Sequence, residues 1–436
     1  MVGFYFRGIS YRMPAQSTPS ASAIPSAVNI EMSHSGVGSP HMGSWVPKVT
    51  VLDPPSQPTT LWGGSTVPVE FEIPNTVGKI TDAVLMIEVT QVVASAAAFG
   101  AGTIPPTTHW VESVEVFLGS QMVERVMADD LMHETLCFLG DQELNSIAPL
   151  VNVTTSGAYR TDGINIATAT TAVNTKFRYF LPLWANALIT AQPWCKGFQS
   201  KWKFRINFAA DLYNSSATGA AAKIITSNFI TISQVKLNIQ EAALSPNEER
   251  QLEGLHTNGK IEYRSIRRNK HLSAPSKDLS ARATTDQLEV LTEFRDSDSA
   301  ALLVYGRPSG GAYNSYPNTS RVKFYEIQVT DAQGNPILPR VSGDYIEGFI
   351  NPWAVSTSLS QSSSTTNLYI VPFCSNLQRV LETGEALGGY RLTGNEKLLF
   401  LQDTNASLSA CQVHVLSYEY MRIIVQNKAS TLVYGA

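Results

Sequence analysis

Three passages in the first half of this chain return, in the same order, in its second half. The stretch VEVFLGSQMVERV (Val114 to Val126) has a counterpart in FYEIQVTDAQGNPIL (Phe324 to Leu338). Tyr179-Phe-Leu-Pro-Leu183 is echoed by Tyr369-Ile-Val-Pro-Phe373, and ITISQVKLNI (Ile230 to Ile239) by VHVLSYEYMRIIV (Val413 to Val425). Each match is weak alone, but three in order predict two similar domains in tandem. The length of 436 residues agrees, because one core stops growing at about 250–300 residues and chains of this size split.

Both halves read as strands. In Val67-Pro-Val-Glu-Phe-Glu-Ile73 the apolar residues share one face and Glu70 and Glu72 the other, the period of a half-buried strand. Ile80 to Val93 is nearly continuously apolar, as expected where both faces are covered. Val114 to Val126 reads as a hairpin around Gly119-Ser120, since glycine in first place suits the II′ turn. A helix is predicted over Ala128 to Leu139, with Asp129 and Asp130 at its positive end and Gly140 as its stop. Strands resume at Lys176 to Leu183, Lys201 to Phe208 and Ile230 to Ile239. Ser245-Pro246-Asn247-Glu248 then has the form of a capping box with proline at N1, so a short helix through about Leu252 should separate the halves. Beyond it, strands are expected around Leu288 to Phe294, Ala300 to Tyr305, Val322 to Val329, Asn367 to Phe373, Lys397 to Leu401 and Val413 to Val425, before a short tail from Asn427. Residues up to about Trp45 are rich in Ser, Pro, Gly and Ala and cannot bury enough apolar surface to fold alone. The expected organisation is a flexible arm (1–47), a first β-domain (48–245) and a second (246–436) that opens with a linker helix (246–259). Two all-β domains of about eight strands, with long loops and short helices inserted in them, match paired jelly rolls. Immunoglobulin-like sandwiches of about 100 residues are short for these halves.

Charge and cysteine usage exclude several functions. Charged residues are 16% of the chain, against about 25% in ordinary soluble domains, which suggests surface covered by other subunits. A net charge of −4 speaks against nucleic acid as the main partner. Cys137, Cys195, Cys374 and Cys411 are far apart, which favours buried thiols over a disulfide framework or zinc site and fits a reducing compartment. No signal peptide or membrane-spanning stretch is expected, so the sequons at Asn152, Asn214, Asn318 and Asn405 read as chance matches.

Catalytic signatures are missing from the sequence. There is no phosphate-binding glycine loop, no HExxH and no GxSxG. His133-Glu134 has no second histidine at zinc-ligand spacing and reads as helix surface. Glu70 and Glu72, about 7 Å apart on one strand face, could imitate a glycosidase pair, but such alternation is commonplace. The basic–aromatic segment Lys201 to Phe208 reads as a strand with Lys201, Lys203 and Arg205 on a solvated face. The most basic run, Arg264, Arg267, Arg268 and Lys270, reads as a subunit contact or solvated loop. No catalytic, cofactor-binding or metal-binding residue is assigned, no cofactor is expected, and the chain is not expected to be an enzyme.

The hairpin-then-helix stretch VEVFLGSQMVERVMADDLMHETLCFL, the strand FRYFLPLWAN with its proline, and the passage ISQVKLNIQEAALSPNEE resemble the double jelly-roll major capsid proteins. These are the shell proteins of tailless membrane-containing phages, adenoviruses, virophages, polinton-like viruses and large double-stranded DNA viruses. The resemblance runs from about Lys48 onward and favours the compact, polinton-like and virophage-like members. It implies a homotrimer acting as a pseudo-hexameric capsomer of an icosahedral virion, made in the host cytoplasm or a viral factory. It also implies neighbouring capsomers, penton and minor capsid proteins as partners, with an internal membrane as a further candidate, no sequence-specific nucleic acid, and an arm ordered against a neighbour or the shell's inner layer. The competing readings are a carbohydrate-binding β-sandwich (a lectin or viral attachment protein), for which Tyr313 and Tyr316 are the candidate residues, and a β-sandwich glycoside hydrolase.

Overall fold

The computed structural model describes residues 46–58, 67–91, 103–104, 107–128, 130–131, 164–165, 175–209, 212–213, 223–224, 230–270, 277–279, 287–292, 294, 296–308, 323–355, 367–402 and 411–435. The expected arm lies outside them up to residue 45.

Eight principal strands build the first half: β1 (Val46–Leu52), β2 (Val69–Glu72), β3 (Lys79–Gln91), β4 (Val111–Leu118), β5 (Gln121–Met127), β6 (Thr175–Pro182), β7 (Trp202–Phe208) and β8 (Ile230–Ala243). They pair antiparallel in two four-stranded sheets of order β1-β8-β3-β6 and β2-β7-β4-β5. The second half repeats this with β9 (Lys260–Lys270), β10 (Gln287–Leu291), β11 (Ser297–Pro308), β12 (Phe324–Thr330), β13 (Pro336–Ser342), β14 (Leu368–Pro372), β15 (Lys397–Gln402) and β16 (Cys411–Gln426). Its sheets have the order β9-β16-β11-β14 and β10-β15-β12-β13. Each of these principal strands therefore has its counterpart eight places later, the β9-β16-β11-β14 sheet being extended by the short strands Lys277–Leu279 and Tyr390–Leu392 and by a C-terminal strand, and the fold is two tandem jelly rolls.

The side-chain period explains the pairing. Trp202, Phe204, Ile206 and Phe208 of β7 are buried while the residues between them are half-exposed, and β2 alternates likewise. Gly119 turns the β4–β5 hairpin at φ 64°. The three echoes found in sequence are β4–β5 with β12–β13, β6 with β14, and β8 with β16.

Besides the helical residues Ala128, Asp130 and Leu131, four helices among the described residues join or flank the rolls: α1 (Asn186–Ile189), α2 (Pro246–Asn258), α3 (residues 343–355, α-helical at both ends with a π turn over Ile346–Ile350) and α4 (Leu377–Thr383). Helix α2 carries the expected capping box. The Ser245 hydroxyl accepts from the Glu248 N–H, and the Glu248 carboxylate accepts from the Ser245 N–H. It runs on past Leu252 to Asn258. Of the helix expected over Ala128 to Leu139, Ala128, Asp130 and Leu131 are helical and the remainder lies outside the described residues. The tail from Asn427 is ordered structure: Asn427 and Lys428, at φ 52° and 63°, make a two-residue turn into a further strand, β17 (Ala429–Tyr434), paired to β16. Both positive φ values are what a I′ turn demands. Lysine stands in the second place, where glycine is usual, so the turn carries no clear hairpin signal in the short tail.

Candidate functional site

No compact catalytic constellation forms where the sequence candidates lie. Glu70 and Glu72 share the outer face of the first roll's second sheet, each held by basic residues of β7 or the residue before it. Glu70 receives Arg205 at 2.7 Å, and Glu72 receives Lys203 at 3.3 Å as well as Lys201. Arg205 also reaches Glu115 of β4 (3.6 Å), which meets Arg125 of β5 (3.5 Å). The Lys201 segment is thus one rung of a charge ladder across all four strands, with its positive charge matched by carboxylates. The hydrogen bond from Lys201, then that from Lys203, hold the Glu72 carboxyl below its ordinary range, the opposite of what a glycosidase general acid needs. His133, Glu134, Tyr313 and Tyr316 lie outside the described residues. Among the described residues no three or more His, Cys, Asp or Glu side chains converge on a common point, and no helix is long and apolar enough to cross a membrane. Cys195 and Cys374 are buried free thiols, and burial pushes both above the ordinary thiol range.

The chemistry is concentrated in the seam between the rolls. Sequence reasoning placed the run Arg264 to Lys270 in a loop or subunit contact; it is strand β9, and it lines that seam. Arg268 is fully buried and donates from Nε to Glu124 Oε1 at 3.0 Å. The same carboxylate accepts the Arg268 backbone N–H (3.0 Å) and the Ala187 N–H of α1 (3.0 Å), so a strand of each roll and a helix meet on one anion. Arg267 turns to the other side, pairing with Glu419 at 2.8 Å and stacking over the Tyr434 ring at 3.8 Å. Tyr305 donates to Asp130 (3.4 Å), Ser265 to the Ala187 carbonyl (2.8 Å), and Thr190 to the Leu381 carbonyl (2.6 Å).

A second cluster sits where α2 joins the rolls. His256 is completely buried against Trp194, Phe198 and Tyr263. One ring nitrogen lies 2.7 Å from the Leu252 carbonyl and the other 3.0 Å from the Tyr263 hydroxyl. Gly197 must be glycine because a Cβ there would overlap the imidazole. Burial lowers the affinity of His256 for a proton, the Lys428 charge adding to it against the Leu252 hydrogen bond. Packing is continuous across the seam: Ile261, Tyr263, Met421, Ile423 and Val425 of the second roll belong to the first roll's hydrophobic core.

Among the described residues, two groups of exposed large apolar side chains stand out. On α3, Tyr345, Phe349 and Trp353 are four residues apart and each more than half exposed, with Tyr345 and Phe349 stacked at 5.2 Å. On the first roll, Val49 and Val51 of edge strand β1 are half exposed as well. Neither patch was singled out in sequence. Val49 and Val51 look like ordinary strand residues there, and which face of α3 is exposed is decided by its packing on β12 and β14.

No protein-family model matches the chain, and no curated protein matches it. Solved structures do. The PBCV-1 virus capsid is 11% identical over 90% of this chain and 98% of the other, with a TM-score of 0.61. The Faustovirus major capsid protein is 10% identical over 90% and 91%, with a TM-score of 0.54. The Sputnik virophage structure is 10% identical over 90% and 89%, with a TM-score of 0.54. The likeness is one of fold, and it is a likeness to double jelly-roll capsid proteins across both halves of the chain.

Proposed function

We propose that this chain is the major capsid protein of an icosahedral virus and works as a trimeric building block. The observation that carries the reading is the eight-place repeat of the strand order, one roll beside another of the same topology. Three copies then offer six lobes of like shape around a threefold axis, a near-hexagonal outline that tiles a flat facet. A ring of this kind uses heterologous contacts, the second roll of one copy against the first roll of the next. The likeness of fold to the PBCV-1 capsid and the Faustovirus major capsid protein supports the same reading. Its partners are then two further copies, neighbouring blocks, and the penton and minor proteins of the shell, and its place is the virion. The work is geometric and requires no catalysis. A carbohydrate-binding sandwich is the competing function, and no described residue favours it.

Sedimentation of the purified chain tests this. The expected species at micromolar concentration is a trimer, with a hexagonal outline in negative stain. A monomer with no tendency to assemble removes the reading.

A further inference from the structure

The repeat allows positions in the two rolls to be matched residue by residue, through rows of paired strands. In the first roll Pro182, Val84, Asn238 and Val51 form one row across the sheet. In the second roll the row is Pro372, Ala301, Tyr418 and Arg268. Each row starts from the proline that ends its outer strand, so Val51 stands where Arg268 stands, and Val49, two residues earlier, stands where Ile266 does. The matched faces differ in burial. Ile266 and Arg268 are 0% and 2% exposed, covered in part by β5 and the turn after it, whereas Val49 and Val51 are 56% and 50% exposed. The neighbouring row repeats the contrast: Leu303, Ile370 and Leu416 are buried, while Met86, Phe180 and Lys236 are half-exposed.

The covering side can be matched too. Val126 pairs with Val114, and Val341 with Ile327, so β13 corresponds to β5 and the start of α3 to the turn at Asp130. On the first roll this side is buried in the seam, with Glu124 2% and Asp130 1% exposed. On the second roll β13 has no buried residue, and Tyr345, Phe349 and Trp353 are 51%, 67% and 59% exposed.

Each roll thus has a covering side and a receiving face. Within the chain the first roll covers the second. The second roll's covering side and the first roll's receiving face are left open: the one presents the Tyr345–Phe349–Trp353 stripe, and the other presents Val49 and Val51 at the sheet edge, beside half-exposed Asn238 and Gln240. We infer that these two are each other's partner in a second copy: β13 and the Tyr345–Phe349–Trp353 stripe of one chain close over the Val49–Val51 face of the next. The inference rests on the trimeric reading and names its surface. The two seams also differ in chemistry. The one within the chain is pinned by a buried ion pair, Arg268 with Glu124, whereas the one between chains has valines at the matched receiving positions. At the matched positions its stability comes from apolar burial, which salt does not screen, and the trimer should persist at high sodium chloride.

The test uses two variants of the full chain, Val49→Asp with Val51→Asp, and Phe349→Asp with Trp353→Asp. All four positions are at least half exposed, so far-UV circular dichroism should match the unsubstituted protein and each variant should still unfold cooperatively. Each variant alone should sediment as a monomer under conditions where the unsubstituted chain is a trimer. Mixed together, each variant supplies the surface the other lacks, so chemical cross-linking should give a one-to-one pair that cannot grow further. Either variant remaining trimeric, or no pair in the mixture, overturns the inference. Trimers that fail only to associate into larger sheets would place the stripe between blocks, which also overturns it. An unsubstituted chain that is itself monomeric removes the trimeric reading beneath, a result distinguishable from all of these.

Discussion

Arg268 and Glu124 show how one buried charge pair fixes the relation of the two rolls. Neither side chain has exposed surface, so each gave up its hydration, and the pair survives because the carboxylate accepts three separate hydrogen bonds from β9 and α1. Removing one partner should be far worse than removing both. Glu124→Ala is expected to cost about 3–5 kcal/mol, while Glu124→Leu with Arg268→Met should recover much of that; the midpoints of urea unfolding measure both. His256 gives a separate, pH-dependent signature. Its folded pKa is lowered by burial, so below about pH 6.5 the unfolded chain takes up a proton that the folded chain refuses. More protons bound in the unfolded state means that stability falls as pH falls through this range, and that the contribution is flat above it. Tm measured on either side of pH 6.5 should drop more steeply for the native protein than for His256→Gln, whose side chain cannot ionise. Equal slopes would show that the imidazole is not the group responsible.

Among the elements, α3 depends on one glycine. Gly343 lies against the Phe324 carbonyl and the Tyr369 ring, and a Cβ at that position would overlap the carbonyl oxygen. Gly343→Ala should therefore lift the start of α3 from β12, at roughly 1–3 kcal/mol as for other overpacked sites. A lower Tm measures this, and an unchanged Tm would show that the helix start yields freely. The same helix shows why part of the fold was hidden from sequence. Strands with clean alternation, such as β2 and β7, and the proline-ended pair β6 and β14 were legible because their side chains sort by face. In GDYIEGFINPWAV the i, i+4 spacing is helical, but the large aromatics Tyr345, Phe349 and Trp353 take the exposed face and Gly348 and Pro352 interrupt the run, so the segment does not read as an ordinary amphipathic helix with its bulky residues inside. Its anchor is equally local: buried Asn351 donates to the Leu368 carbonyl and accepts from the Ile370 N–H, completing the edge of β14 as a neighbouring strand would. Strand β9 was obscured for the reverse reason. Its arginines suggest solvent, but Arg267 and Arg268 point to opposite sides and each meets a glutamate from a distant part of the chain. Candidate catalytic residues were read from spacing alone, which cannot show that Glu70 and Glu72 are already matched by lysine and arginine.

At the scale of the molecule, the rolls repeat one topology but are not independent. Ile261, Tyr263, Met421, Ile423 and Val425 complete the first roll's core from the second roll's strands. Backbone bonds bind the same joint, since the Lys428 N–H donates to the His256 carbonyl and the Gln199 N–H to the Lys428 carbonyl, both at 2.8 Å. Burying one large apolar side chain is worth about 1.5–3 kcal/mol, so five amount to roughly 7–15 kcal/mol. That equals the whole net stability of a typical domain, about 5–15 kcal/mol. A fragment ending at Asn258 loses all five and leaves their sites open to water. It should fail to give a monodisperse folded species, while the same fragment produced together with residues 259–436 should reassemble into a soluble one-to-one complex. Size-exclusion chromatography with light scattering reads both outcomes. A cooperative thermal transition from the first roll alone would mean that its own core suffices, and that the seam joins two finished domains instead of completing one of them.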